Sequence, residues 1–200
     1  MTAEFVAVVL AAGGSQRLGY PKQLLRRDGT TLLRHAAELA SSSGAARVLV
    51  ALGAQRELLQ AELCDLRVEI VDVADWLDGL GASLARVQQA LRSARYRHVL
   101  VLGCDQPALA ASHLQQLLTA AARSGGSAFS GYAGVRGLPA VVAWPLWTQA
   151  RFAGDAGLRE VARSGAHAVA VVDAPELALD VDTAADVSAA VSLGWLDRPG

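Results

Sequence analysis

Four short apolar runs, at residues 4–10, 47–52, 67–73 and 98–102, constrain the fold of this chain most strongly. Each is rich in Val, Leu or Ile and bounded by turn residues, and all but 67–73, where Arg67, Glu69 and Asp72 intervene, are apolar almost throughout instead of alternating. Strands of that kind are buried on both faces. The stretches between them, 31–42, 55–63 and 83–94, carry helical spacing, as in Leu84, Val87, Ala90 and Leu91. The order βαβαβαβ therefore predicts a mostly parallel sheet covered by helices on both sides, a three-layer α/β/α sandwich. After a helix at 111–123 the pattern changes. Segments 127–133 and 139–143, with a turn over 134–137, read as a hairpin or small antiparallel insertion. Helices near 145–151 and 156–164, a strand at 168–172, a short segment at 178–181 and a last helix from Thr183 to Leu193 complete the reading, with Asp182 and Thr183 where an N-cap belongs. No repeat, low-complexity tract or linker interrupts residues 1–200, and a single domain is expected.

Composition narrows the function. The hydrophobic fraction is 52% and the mean hydropathy +0.30, yet no apolar run approaches the ~18 residues of a membrane span. Met1-Thr2-Ala3-Glu4 has no basic n-region and leads straight into Phe5 to Leu10, a buried strand and not a signal peptide, so a cytoplasmic protein is expected. Cys64 and Cys104 lie far apart with no CxxC and no histidine at ligand spacing, which argues against a zinc site or a disulfide framework. A net charge of −1, with no basic stretch longer than Arg26-Arg27, argues against a nucleic-acid partner. The chain has seventeen arginines, no asparagine, and one lysine, Lys22. Where only positive charge was needed it carries Arg, so the solitary Lys beside a glycine-rich loop hints at a site that needs a compact ammonium.

Open α/β sheets bind ligands at the carboxyl ends of their strands. Three polar clusters fall there: 11–22, 72–83 and 103–107. In the first, Leu10-Ala11-Ala12-Gly13-Gly14-Ser15 lets backbone approach a ligand and offers N–H groups to an anion, and Arg17 and Lys22 add two cations suited to a polyphosphate. Gly14 and Gly19 match half of a Walker A motif, but Tyr20-Pro21 follow where Lys-Ser/Thr would be needed, and no GxGxxG is present. Asp105, leaving a strand, is suited to Mg²⁺, which takes one or two carboxylates together with phosphates. The alternative, a cap for the helix beginning near Ala110, would place it several residues early.

The segment from Leu10 to Lys22 resembles the LAAGxSxRxGxxK signature of nucleotidyltransferases that make and modify cofactors, the molybdenum cofactor cytidylyltransferases above all. The resemblance continues in order through Trp76 and Gly79-Leu80-Gly81-Ala82-Ser83-Leu84, Cys104-Asp105-Gln106-Pro107, Gly134 to Pro139, Gly154 to Arg159, and Leu179-Asp180-Val181-Asp182-Thr183. It implies a nucleotide-diphospho-sugar transferase-like fold. It also implies transfer of a nucleotidyl group to an acceptor phosphate with release of pyrophosphate, without a covalent enzyme intermediate. Arg17, Lys22 and Asp105 would carry the catalysis. The nucleotide would lie against Leu10, Ala11, Ala12, Gly13, Gly14, Ser15, Gly79 and Ser83, with Mg²⁺ on Asp105 and Asp182. Asp182 has a second reading as helix N-cap, and both could hold.

Asp72, Asp75 and Trp76 would flank base and ribose, although a lone Trp is more often core. The family commonly has His where this chain has Leu138, and Arg136 lies beside it. Asp155 and Arg159 would stand near the acceptor or form a helix surface pair. Cys104 reads as a buried thiol, and His35, His98, His113 and His167 have no partners that suggest catalysis. Ala12 favours the cytidylyl branch, since guanylyl relatives usually read LAGG. The expected function is therefore CTP:molybdopterin cytidylyltransferase, serving a molybdoenzyme of the xanthine dehydrogenase type. The alternatives are a nucleotidyltransferase using GTP with molybdopterin or a sugar or isoprenoid phosphate, and a nucleotide-binding chaperone that delivers the cofactor without turnover.

Overall fold

The computed structural model describes residues 3–154, 157–158 and 168–198. Strand β1 (Ala3–Leu10) is central, paired in parallel with β4 (Val48–Leu52) on one side and β6 (Tyr96–Gly103) on the other. Outward from β4 lies β5 (Glu69–Asp72), also parallel. Beyond β6 come β8 (Val135–Ala143), β7 (Ser127–Tyr132) and β9 (Val169–Asp173). Only β8 runs against its neighbours in this seven-stranded sheet, being antiparallel to both β6 and β7, while β7 and β9 are parallel.

Alternation along β1 builds the layers. Ala7, Val9 and Ala11 point into a core shared with Leu33, Ala36 and Ala37 of α1 (Leu32–Ser42) and Leu114 and Leu117 of α4 (Ala111–Ser124). Val6, Val8, Leu10 and Ala12 point the other way, toward Leu84 and Val87 of α3 (Leu80–Ala90) and Trp147 of α5 (Trp144–Gln149). A strand with a filled core on each face has no place for polar residues, which is why the sequence there is apolar without a break. The short helix α2 (Arg56–Ala61) follows β4. The last described helix, α6 (Ala184–Ser192), packs Val187 and Ala190 with Val181 and Leu196 against Leu32 at the start of α1.

Several boundaries differ from the sequence expectation. Helix α3 begins at Leu80, not 83, because Gly79 turns the chain directly into it. The turn of the β7–β8 hairpin is two residues, Ala133 and Gly134, both at positive φ, and not the stretch 134–137. Gly137 belongs to the strand and is small for a packing reason, since an added Cβ would meet the Tyr132 ring. Segment 178–181 pairs in no sheet; Pro175–Ala178 is a 3₁₀ turn. The expected helix 156–164 is described only at Gly157 and Leu158, and Asp155, Arg159 and His167 lie outside the described residues. A small hairpin, β2 (Arg26–Arg27) with β3 (Thr30–Thr31), was not expected. No helix among the described residues is long and apolar enough to cross a membrane.

Candidate active site

A cavity of about 710 Å³ opens at the carboxyl ends of β1 and β6. Its walls come from the loop after β1, the start of α3, the loop after β6, and the β7–β8 hairpin. Of the residues expected to bind nucleotide, Leu10, Ala11, Ala12, Gly13, Lys22, Gly79, Ser83 and Asp105 line it. Gly13 is exposed with nothing near the position a Cβ would take, so its backbone is open to a ligand. Gly14 is small for a different reason from the one expected. A Cβ there would come within 2.6 Å of the Trp76 indole, which also packs on Gly53. Trp76 thus rests on two glycines and braces the loop at the cavity edge. Ser15 is off the cavity wall and holds the loop together: its hydroxyl accepts from the Lys22 amide at 3.1 Å and donates to Gln23.

Gln23 was missed in the sequence. Its side chain is buried, and its amide donates to the carbonyls of Ala11 (3.0 Å) and Gly13 (2.8 Å), fixing the loop from beneath. Gln106 does the same for the opposite wall, its amide donating to Tyr132 Oη and to the carbonyls of Leu138 and Leu177. Neither glutamine had a signal in periodicity, because each acts through backbone carbonyls that only the fold brings close.

The charged centre joins both ends of the sequence. The Lys22 ammonium donates to Asp105 Oδ2 and Asp182 Oδ1, each at 2.7 Å, and Arg17 donates to Asp182 Oδ2 at 2.7 Å. The Val181 amide donates to the Asp105 carbonyl at 2.9 Å, which docks the 180–182 segment beside the β6 loop. Burial opposes the charge on Lys22, but the carboxylate of Asp105 and the hydrogen bonds to Asp105 and Asp182 outweigh it and hold the ammonium above its ordinary range. Burial likewise opposes the Asp182 charge, and Lys22 and Arg17 overcome it, keeping this carboxyl below the usual range. Asp180, which lines the cavity where Arg17 and Asp182 do not, moves the opposite way. Partial burial and then the neighbouring Asp105 charge push it up to about 6. The spacing Asp180-Val181-Asp182, with Val181 fully buried, was the available signal that both aspartates face the same side.

Two alternatives raised by the sequence are settled by the helix ends. Thr183 is the N-cap of α6, in a capping box with Asp186, so Asp182 is left free to face the cations. Helix α4 starts from Ala110 without a side-chain cap, so Asp105 does not serve it. Cys104 is buried, and burial pushes its thiol up to about 12. Asp75 pairs with Arg86, and Asp72 lies 3.6 Å from Arg56, so neither reaches the cavity wall. His35, His98 and His113 are engaged with Leu109, Gly126 and Ser130 respectively, in structural roles.

Residues 7–174 match the model of the MobA-like NTP transferase domain. The chain belongs to that family. It is 32% identical over 188 residues, 88% of this chain and 91% of the relative, to nicotine blue oxidoreductase of Paenarthrobacter nicotinovorans. Among solved structures it is similar to Rv0371c of Mycobacterium tuberculosis, with a TM-score of 0.80, 28% identity, and coverage of 96% of this chain and 99% of that one. A second structure of that protein, a complex with manganese, aligns with a TM-score of 0.72 and 27% identity over 95% and 99% of the two chains. The nucleotidyltransferase fold expected from the sequence is therefore present, with its sheet mostly parallel and its antiparallel part confined to β8.

Proposed function

We propose that this member of the family transfers CMP from CTP to the phosphate of a molybdopterin-type acceptor, with release of pyrophosphate. The observation that carries this reading is the cluster of Lys22, Arg17, Asp105 and Asp182 beside the open backbone of Gly13. It offers two cations for a polyphosphate and two carboxylates for a divalent ion. In the reaction an acceptor phosphate oxygen attacks the α-phosphorus, and the bond from that phosphorus to the bridging oxygen of the β-phosphate breaks. Pyrophosphate leaves with the electron pair. The residues have in-line positioning and charge neutralisation to supply, so a nucleophilic triad is not required.

A divalent ion fits the residues present, since a cation already bridges Asp105 and Asp182. These two would hold Mg²⁺, which neutralises polyphosphate charge when bound. Two carboxylates suffice, because Mg²⁺ usually completes its shell with phosphate and water. Gly79 and Ser83 at the start of α3, with Ala12 on the same cavity wall, would contact base and ribose, and the pyrimidine assignment rests on Ala12 standing where guanylyl relatives usually have glycine. A partner of the xanthine dehydrogenase type and a cytoplasmic site of action belong to the same reading.

A second reading, an oxidoreductase, takes support from the name of the Paenarthrobacter relative and from the apolar residues Phe129, Leu138 and Leu158 among those lining the cavity. One experiment separates them. Pyrophosphate release is measured with CTP, GTP, ATP and UTP in Mg²⁺ and in Mn²⁺, with molybdopterin as acceptor. In parallel, nicotine blue is offered with NADH or NADPH. Release with CTP above the other nucleotides is expected. Preference for GTP would overturn the cytidylyl assignment, and dye reduction without pyrophosphate would favour the second reading. A thermal-shift panel of the same four nucleotides with Mg²⁺ checks the preference independently, because a ligand at a hundred times its Kd adds ~2.7 kcal/mol.

A further inference from the structure

Asp105 and Asp182 come from segments far apart in sequence, yet one nitrogen touches both at 2.7 Å. That nitrogen belongs to a side chain only 13% exposed, on a backbone held by Ser15 through its amide and by Leu25 through its carbonyl. Asp182 is engaged twice, with Lys22 on one oxygen and Arg17 on the other. Without the ammonium, the two carboxylates would face each other and Asp180 with nothing between them. A divalent ion entering this arrangement must detach the ammonium from both oxygens, and each charge-assisted contact resists that. If only water awaits the ammonium, the exchange is opposed. If a polyphosphate awaits it, the ammonium trades carboxylate oxygens for phosphate oxygens and the opposition is removed.

We propose that Lys22 is a built-in stand-in for the divalent ion, holding the Asp105–Asp182 pair together in the free protein and yielding it when a polyphosphate arrives. The ion then enters with the nucleotide and not before it. This rests on the proposed function twice, for Asp105 and Asp182 as the ion's ligands and for a nucleotide as the arriving anion. It makes metal and nucleotide binding mutually reinforcing, since each relieves the other of competition from Lys22.

Two measurements on the full chain test this. Mn²⁺ affinity, followed by the loss of the free-ion electron paramagnetic resonance signal, is compared without nucleotide in wild type, Lys22→Met and Arg17→Met. Lys22→Met should bind Mn²⁺ at least about tenfold more tightly than wild type, the worth of one charge-assisted contact. Arg17→Met removes the same charge without clearing the bridge and should gain clearly less. Equal gains, or none for Lys22→Met, would overturn the proposal. The second measurement needs no variant. The chain has one lysine, so ¹⁵N-lysine labelling gives a single ammonium resonance. It should stay in place with Mg²⁺ alone and move when Mg²⁺ is added with CTP or with inorganic tripolyphosphate. Movement with Mg²⁺ alone would overturn the proposal. Movement with tripolyphosphate but not CTP would sustain it and refute the nucleotide assignment.

Discussion

Lys22 donates to two carboxylate oxygens at 2.7 Å from a nearly enclosed position, and a planar guanidinium cannot occupy that point without spreading the oxygens apart. Pyrophosphate release by Lys22→Arg should therefore fall to within about tenfold of Lys22→Ala, both losing about 10²–10³ in kcat. Near-wild-type turnover by Lys22→Arg would show that charge alone suffices. Asp105→Asn preserves shape and removes charge, so activity should collapse while the melting temperature moves little. Normal turnover of CTP with Mg²⁺ by that variant would remove Asp105 from the metal site. Ala12 is buried on the cavity wall, and Ala12→Gly should lower the ratio of CTP to GTP use in the same assay. Gly13 and Gly14 are adjacent and identical, yet one is open to ligand and the other gives way to Trp76. Nothing in a pair of glycines distinguishes those causes before the indole is placed.

At the scale of elements, helix α6 presents Asp182 from the residue just before its cap. Thr183 accepts from the Asp186 amide while the Asp186 carboxylate accepts from the backbone amide of Thr183. Thr183→Ala should cost about 1 kcal/mol, read from urea unfolding. It should also lower activity more than that loss of stability explains, because the Asp182 backbone amide leans on the same Asp186 carboxylate. Unchanged activity at reduced stability would separate the cap from the site. The elements readable in the sequence were those with strong apolar signals, β1, β4 and β6 with the helices between them, and β5 by its place in the alternating order. Those that escaped are short. Hairpin β2–β3 has two residues per strand, too few for any period to show, and it is held by its surroundings. Arg27 donates to the carbonyls of Pro107 and Leu109, and Asp197 accepts from the amides of Asp28 and Gly29. The cations and carboxylates of the site were legible because their chemistry is local to a motif. Gln23, Gln106 and the brace of Trp76 were not, since their partners are backbone atoms and glycines assembled by the fold.

Across the whole molecule, His98 and His113 are both lowered by burial, one donating to Gly126 and the other bound to Ser130. A histidine whose folded pKa lies below its ordinary value of about 6.5 binds fewer protons folded than unfolded there, so its contribution to stability is lost as pH falls below that value. Asp180, raised to about 6, takes up a proton in the folded state over the same window and opposes this, so the histidine part is read by difference: between pH 7 and pH 5 the double variant His98→Gln, His113→Gln should lose less melting temperature than wild type. An equal slope would assign acid lability elsewhere. The fold joins Arg17, Lys22 and Asp28 to Asp182 and Asp197, contacts that span nearly the entire sequence. Synthesis runs from the amino-terminal side, so β1 and its loop leave the ribosome long before the aspartates that complete them. Until those arrive, the cationic loop lacks its clamp, and the nascent protein can build its sheet without yet having a place to hold a triphosphate. Competence for the proposed chemistry thus comes only once the 180–182 segment has been made and docked beside the β6 loop.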